Sequence, residues 1–161
     1  MIIACTHDLE IRASMSLVPA SAWGTIVLLN VADQQAAASD QLVGSIGNLK
    51  AGEPLCLAAH QVSSDFGDSD GEWIWSATDL AALLQQGLPT GFNAPILIYA
   101  VSPAEVATFA NDLAAALRTA KAFCGGTVYG FNKPVTVATT PYPSPQQLAT
   151  NANLTGTTVQ C

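Results

Sequence analysis

The chain has 161 residues, of which 50% are hydrophobic and only 11% are charged, so it can fold as one domain (residues 1–161) around a buried core. Disorder requires the opposite balance. Five basic and twelve acidic residues give a formal charge of −7, which argues against nucleic acid or an anionic membrane as a partner. The negative charge favours binding of a cationic partner, although it can also serve only to keep the protein in solution.

The cysteines and the apolar runs indicate where such a chain would reside. No run approaches the roughly 18 apolar residues that cross a bilayer, and no basic segment precedes the first apolar residues. Cys5, Cys56, Cys124 and Cys161 are widely spaced and contain no Cys-x-x-Cys pair, so neither a zinc cage nor a disulfide framework is predicted. We therefore expect reduced thiols and a cytoplasmic protein.

The N-terminal part predicts strands followed by a helix. Residues 1–5 and 11–17 have an extended pattern that is compatible with an edge hairpin. The β-branched run 25–31 is flanked by turn residues and predicts a fully buried strand. Asp33 can cap the amphipathic helix that follows, which ends near Gly47.

The middle of the chain repeats this alternation. The apolar strand 55–60 ends in His60 and leads into a polar loop, 61–72. Either Ser76 or Thr78 can cap the short helix 79–86, because hydroxyl side chains accept hydrogen bonds from the first free amides of a helix.

A further strand, 95–101, runs directly into the best defined helix of the sequence, 103–121. Ser102 stands at the cap position, Pro103 at the first helical position and Glu105 three residues after the cap. This combination is the pattern of a capping box with an N-terminal proline.

The C-terminal part predicts strand 127–131, a further short strand 135–139 and an extended or loosely attached tail, 141–161, rich in Pro, Thr, Asn and Gln. Strands that alternate with helices are typical of right-handed βαβ crossovers. The predicted fold is α/β: a three-layer sandwich with a mostly parallel central sheet and helices on both faces.

His60 is the leading candidate for chemistry. Ligands of open α/β sheets bind beyond the carboxyl ends of the strands, and His60 and Val101 each end a predicted strand. A histidine there can accept a proton from a nucleophile one strand away, or can simply hydrogen-bond a nearby loop. Val101 has no reactive group, and capping explains Ser102 better than a nucleophilic role, since no Gly-x-Ser-x-Gly elbow surrounds it.

The cysteines do not supply the missing nucleophile. Cys56 lies on the same strand as His60, about 13 Å away, which is beyond hydrogen-bond reach. Cys124 precedes strand 127–131 and would lie at its amino end. The cluster Cys-Thr-His-Asp at 5–8 is the kind of local grouping that usually arises by accident, so we predict no metal site and no cofactor.

The loop at 64–72 concentrates four carboxylates in eight residues, namely Asp65, Asp68, Asp70 and Glu72. The simplest interpretation is a solvated loop. Because it follows His60, it can also form an acidic wall that selects a Lys or Arg side chain. Calcium is a third option, since it prefers oxygen ligands, but the spacing differs from that of a helix-loop-helix calcium site.

Together these motifs resemble the caspase-like fold, in particular the self-processing cysteine peptidase domains of large bacterial toxins. In those domains a hydrophobic strand ends in His-Gly, and a later strand ends in a small residue, Cys-Ser and a helix. Residues 57–61 (Leu-Ala-Ala-His-Gln) resemble the first motif and 96–102 the second. Tyr-Gly-Phe at 129–131 resembles the strand that borders the substrate pocket. The resemblance covers roughly residues 25–140 and implies a bacterial origin.

Two departures from the family pattern fall on the chemistry. Gln61 replaces the glycine, and Val101 occupies the position of the nucleophilic cysteine. Valine cannot form a thiolate, so His60 would keep the base position with nothing to activate. The resemblance therefore implies an inactive peptidase homologue that binds a peptide or protein partner, Lys- or Arg-bearing if the acidic wall selects it. The expected binding residues are Gln61, Asp65, Asp68, Asp70, Tyr129 and Phe131.

Two alternatives remain open at this point. The chain can be an active hydrolase of the same fold that uses Ser102 or a cysteine brought in from elsewhere. It can also be a plain interaction or immunity-type protein, because one architecture serves many unrelated functions.

Overall fold

A mostly parallel β-sheet lies between layers of helices and connecting segments in the computed structural model, which describes residues 1–18, 20–31 and 34–161. The strands are β1 Ile2–Ala4, β2 Ile26–Leu28, β3 Leu55–Val62, β4 Asp65–Gly67, β5 Ile74–Trp75, β6 Ile96–Val101, β7 Thr127–Phe131 and β8 Leu154–Thr158. The helices are α1 Leu9–Ser14, α2 Ala20–Trp23, α3 Gln35–Ile46, α4 Ala77–Gly87 and α5 Phe109–Thr119. The predicted cap Asp33 lies outside the described residues.

The sheet confirms the predicted α/β class. Its strand order is β2-β1-β3-β6-β7-β8, in which only β8 runs antiparallel to its neighbour, and a hairpin of β4 and β5 extends from the end of β3. None of the helices in the described ranges is both long enough and apolar enough to span a bilayer.

Two apolar layers bury the sheet, because neighbouring residues of a strand point to opposite faces. Helices α3, α4 and α5 cover one face, where residues such as Leu42, Leu84 and Leu113 belong to one core cluster with Leu57 and Ile98. On the other face, residues of α1 and of the segment after β7 pack with Ala58 and Tyr99. Strand β6 is buried along its whole length, as expected of a continuous apolar run between two layers.

The connections change direction between β1 and β3. From β1 the chain passes through α1 and α2 to β2 on one side, whereas from β3 it passes through α4 to β6 on the other. Two adjacent parallel strands whose connections leave in opposite directions define a topological switch point, and open α/β sheets generally bind ligands at the carboxyl ends of such strands. The candidate site lies at this edge.

The predicted N-terminal edge hairpin is wrong. Strand β1 is interior, between β2 and β3, and residues 11–17 are helical instead of extended. Asp8 caps α1 by accepting a hydrogen bond from the amide of Ile11, and Ile11 and Met15 are buried four residues apart, which is helical spacing. The short strand β2 forms the sheet edge and is only partly covered, so the prediction that 25–31 is a fully buried strand is also wrong.

The predicted capping box at Ser102 does not form. The backbone of Ser102 bridges to Val135, and its hydroxyl donates to the carbonyl of Glu105 at 2.9 Å, so α5 begins only at Phe109. The side chain of Gln61 takes over the cap, because its Oε1 accepts from the amides of Thr108 and Phe109 at 3.0 and 2.9 Å. By contrast, α4 is capped by Ser76, one of the two residues predicted for this position.

The C-terminal tail is held firmly in place. Strand β8 pairs with β7 over five residues, and a disulfide joins Cys124 to Cys161, so the predictions of a loose tail and of reduced thiols at these positions are wrong. Cys5 and Cys56 are free and buried. The predicted strand 135–139 reduces to the single bridge between Val135 and Ser102.

Candidate functional site

The two strand ends singled out in the sequence meet directly in the sheet. His60 of β3 and Val101 of β6 are paired in the parallel register. Paired residues of parallel strands project to the same face, so the imidazole and the valine side chain are cross-strand neighbours. This face is the one covered by α1.

The imidazole of His60 has a carboxylate partner. Its Nε2 lies 3.2 Å from Oδ2 of Asp8, and the two side chains are 20% and 30% exposed. Burial alone would raise the pKa of Asp8, but hydrogen bonds from the amide of Ile11 and from His60 hold it below its ordinary value. The carboxylate therefore stays ionised and can orient the ring.

The candidate nucleophiles among the described residues are engaged elsewhere or buried. Among the described residues, no hydroxyl or thiol forms a hydrogen bond with Nε2 of His60. The hydroxyl of Ser102 is engaged by the carbonyl of Glu105. Burial raises the pKa of Cys5 and of Cys56, so neither thiol ionises readily. Cys124 is held in its disulfide.

A second histidine–aspartate pair lies at the same edge, and the sequence analysis missed it. Oδ2 of Asp68 lies 2.6 Å from Nδ1 of His7, and Oδ1 accepts from the hydroxyl of Thr6 and the amide of His7, each at 2.6 Å. The amide of Trp73 adds a fourth contact, at 3.1 Å. Burial alone would raise the pKa of Asp68, but these hydrogen bonds hold it below its ordinary value.

The surroundings of His7 complete a compact cluster. Its ring lies over the indole of Trp73, with the ring centres 3.6 Å apart, and Oε2 of Glu72 is 3.6 Å from its Nδ1. Ligand atoms of His7, Asp68 and Glu72 all lie within 4.8 Å of one another. Histidine and carboxylates in this arrangement can hold a divalent metal ion.

The predicted binding residues are spread over different surroundings. Gln61 caps α5, and Asp68 is 3% exposed with both oxygens occupied, so the interpretation of a solvated loop is wrong for Asp68. Asp65 lies in β4, and Asp70 is exposed in the turn of the hairpin, where it accepts from the amide of Glu72.

The two aromatic residues of β7 lie further back along the sheet. Tyr129 is paired through Leu97, four residues before Val101, and is therefore roughly 13 Å from the level of His60. Phe131 is buried, edge-on to Tyr99 at 5.6 Å between ring centres. The structure thus brings together His60 and Val101, and sets Tyr129 apart from them.

A separate cavity of about 480 Å³ opens beside α1 and α2. Its lining is mainly apolar and aromatic and includes Leu17, Trp23 and Tyr142. None of the described residues that line it carries a carboxylate, an imidazole or a thiol, so the groups suited to acid–base or metal chemistry are those at the switch point.

No protein-family model, curated protein or solved structure matches the chain. The role of the site therefore has to be inferred from its own geometry. What is established is the class: an α/β protein with a mostly parallel sheet and two histidine–carboxylate pairs at its switch point.

Proposed function

We propose that the chain is a catalytically inactive relative of caspase-like cysteine peptidases that binds a peptide or protein partner at the switch-point edge. The observation that carries this proposal is the register pairing of His60 with Val101. A general base must lie within hydrogen-bond distance of its nucleophile, and side chains paired on neighbouring strands are close enough to meet this requirement. Here the base position is kept, with Asp8 as its orienting group, while the nucleophile position holds an alkyl group.

The proposed partner carries Lys or Arg side chains. Asp70 and Glu72 are exposed at the hairpin that follows His60, and the chain as a whole has a charge of −7. Opposite charges raise the rate of encounter and select against acidic partners. This assignment restricts the acidic-wall interpretation of the loop to those of its carboxylates that face solvent.

The cytoplasmic location expected from the sequence stays a prediction. The disulfide between Cys124 and Cys161 favours an oxidising compartment, because cytosolic reductants keep most thiols reduced. We therefore propose that the protein acts where disulfides persist.

Substitution of Val101 by cysteine tests the inactive-peptidase assignment. We expect the new thiol of Val101→Cys to react with iodoacetamide at least about tenfold faster than the same thiol in a Val101→Cys/His60→Asn double variant, because an adjacent imidazole lowers a thiol pKa. Mass spectrometry of the labelled peptide measures each rate. Ala100→Cys provides the matched control, since this position is also buried but points to the opposite face.

Equal rates with and without His60 would contradict the proposed pairing of base and nucleophile. Labelling of Ser102, Cys5 or Cys56 in the unsubstituted protein by an electrophilic probe, lost in His60→Ala, would instead establish the active hydrolase.

The binding half of the proposal is tested with a random-peptide phage library panned against the intact protein. We expect enrichment of peptides rich in Lys and Arg, with affinities that fall as salt is added because the attraction is electrostatic. Asp70→Asn should weaken the selected peptides several-fold, whereas Asp40→Asn, an equal charge change on exposed α3 surface, should not. Selected peptides without basic residues, or equal losses in both variants, would contradict the proposed partner class.

A further inference from the structure

The cluster of His7, Asp68 and Glu72 shares Glu72 with the proposed peptide-binding surface, but the contacts of His7 and Asp68 play no part in that proposal. One imidazole and two carboxylates converge from the end of β1 and from the β4–β5 hairpin, segments that are 61 or more positions apart in the chain. From these contacts we propose that His7, Asp68 and Glu72 form a binding site for a divalent metal ion of the Zn²⁺ class. This proposal is independent of the peptidase resemblance.

The charge at Asp68 is the first argument. The residue is 3% exposed, yet no Lys or Arg forms an ion pair with it in the described part of the chain. Buried carboxylates are generally paired with a cation or bound to a metal. Asp68 faces only the imidazole of His7 and neutral hydrogen-bond donors, and Glu72 places a second carboxylate next to the same imidazole nitrogen, so an ion bound there would face two negative charges.

The distances between the donor atoms are the second argument. Zn²⁺ binds histidine nitrogen and carboxylate oxygen at about 2.0–2.2 Å, which places neighbouring ligand atoms about 3.3 Å apart in a tetrahedron. Nδ1 of His7 lies 2.6 Å from Oδ2 of Asp68 and 3.6 Å from Oε2 of Glu72. Opening the first distance by roughly 0.7 Å, as the ion replaces the shared proton, would accommodate it.

The hydrogen bonds around the cluster are the third argument. Oδ1 of Asp68 is fixed by Thr6 and by the amide of His7, so the carboxylate is already oriented toward the imidazole. Groups that orient ligands in this way are a general property of metal sites. Nε2 of His7 has no hydrogen-bond partner among the described residues, so no protein group fixes which ring nitrogen carries the proton.

The choice of ion follows from the ligands. Imidazole favours Zn²⁺ and its neighbours over Mg²⁺ and Ca²⁺, whereas carboxylates accept either group. Three protein ligands would leave a fourth position for water, on the side where Glu72 is exposed. The ligand assigned to this site is therefore Zn²⁺, or Co²⁺ as its spectroscopic substitute.

Isothermal titration of ZnCl₂ into the full chain tests the proposal, with Glu72→Gln as the main variant. Glu72 is 48% exposed, so its replacement should leave the fold intact, as circular dichroism can verify. We expect one equivalent of Zn²⁺ to bind and the affinity to fall at least about tenfold in Glu72→Gln. Asp40→Asn matches its charge change on the exposed surface of α3 and should bind within about twofold of the unsubstituted protein.

Two spectroscopic measurements report on the same site. Co²⁺ in a tetrahedral nitrogen–oxygen site should give visible absorption bands, and it should quench Trp73, which stacks on His7. Absence of binding up to about 1 mM Zn²⁺ would overturn the proposal. So would equal affinity in Glu72→Gln and the unsubstituted protein, or an equal loss in Glu72→Gln and Asp40→Asn, which would indicate a general effect of charge.

Discussion

At the scale of single residues, Gln61 has a structural role that the sequence did not predict. The resemblance places glycine at this position, and the sequence analysis assigned Gln61 to partner binding. In the structure its side chain joins β3 to the start of α5 through two amides and the hydroxyl of Thr108. A glycine has no side chain that could make these contacts, so the departure from the family pattern has a structural explanation.

Gln61→Ala should therefore lower the free energy of unfolding. Removal of the Gln61 side chain leaves the amides of Thr108 and Phe109 without their acceptor, and loss of a helix cap costs about 1 kcal/mol. Urea denaturation followed by circular dichroism measures the change. Gln86→Ala, on the exposed surface of α4, is the matched control and should change stability by less than about 0.5 kcal/mol. Equal effects in both variants would mean that Gln61 does not cap α5.

At the scale of elements, apolar pattern predicted the parts of the fold that are buried along their length. Strands β3, β6 and β7 and helices α3 and α4 lie close to their predicted ranges, because continuous apolar runs and helical periodicity reflect burial directly. Strand β1 has only three residues, which is too few to distinguish an interior strand from an edge. Strand β8 is mostly exposed, so its polar sequence resembles that of an unstructured tail.

The same limit explains why half of the candidate site was missed. His60 was found because it ends a recognisable strand. His7 also follows a strand end, but β1 was assigned to an edge, and the cluster Cys-Thr-His-Asp at 5–8 was taken as accidental. The contact between His7 and Asp68 spans 61 positions and depends on the hairpin that returns along β3. No local pattern in the sequence carries that information.

At the scale of the whole molecule, the disulfide determines how the far edge of the sheet is held. Cys124 precedes β7 and Cys161 follows β8, so the bond closes the two-stranded edge at one end. The residues it joins are exposed, whereas Cys5 and Cys56 are buried. A mild reductant should therefore open this bond in the folded protein, whereas an alkylating reagent should leave the buried thiols of Cys5 and Cys56 unmodified.

Removal of this bond should lower the melting temperature. It closes a loop with a sequence separation of 37, for which the chain-entropy model gives about 4 kcal/mol of stabilisation. Calorimetry with and without reductant measures the loss, and Cys124→Ser/Cys161→Ser should reproduce it. Because the double variant has no disulfide, reductant should not shift its melting temperature further. A melting temperature that is identical in the oxidised and reduced protein would show that β8 is held by strand pairing alone.

The adjacency of His7 and Asp8 links the two ionic pairs mechanically. His7 contacts Asp68 in the hairpin, and Asp8 contacts His60 at the end of β3. One peptide bond separates the two residues that make these contacts. A displacement of the hairpin must therefore pull on the carboxylate that aligns the His60 ring. Movement of the acidic turn should therefore change the orientation of the imidazole, because both are attached to the same dipeptide, residues 7–8.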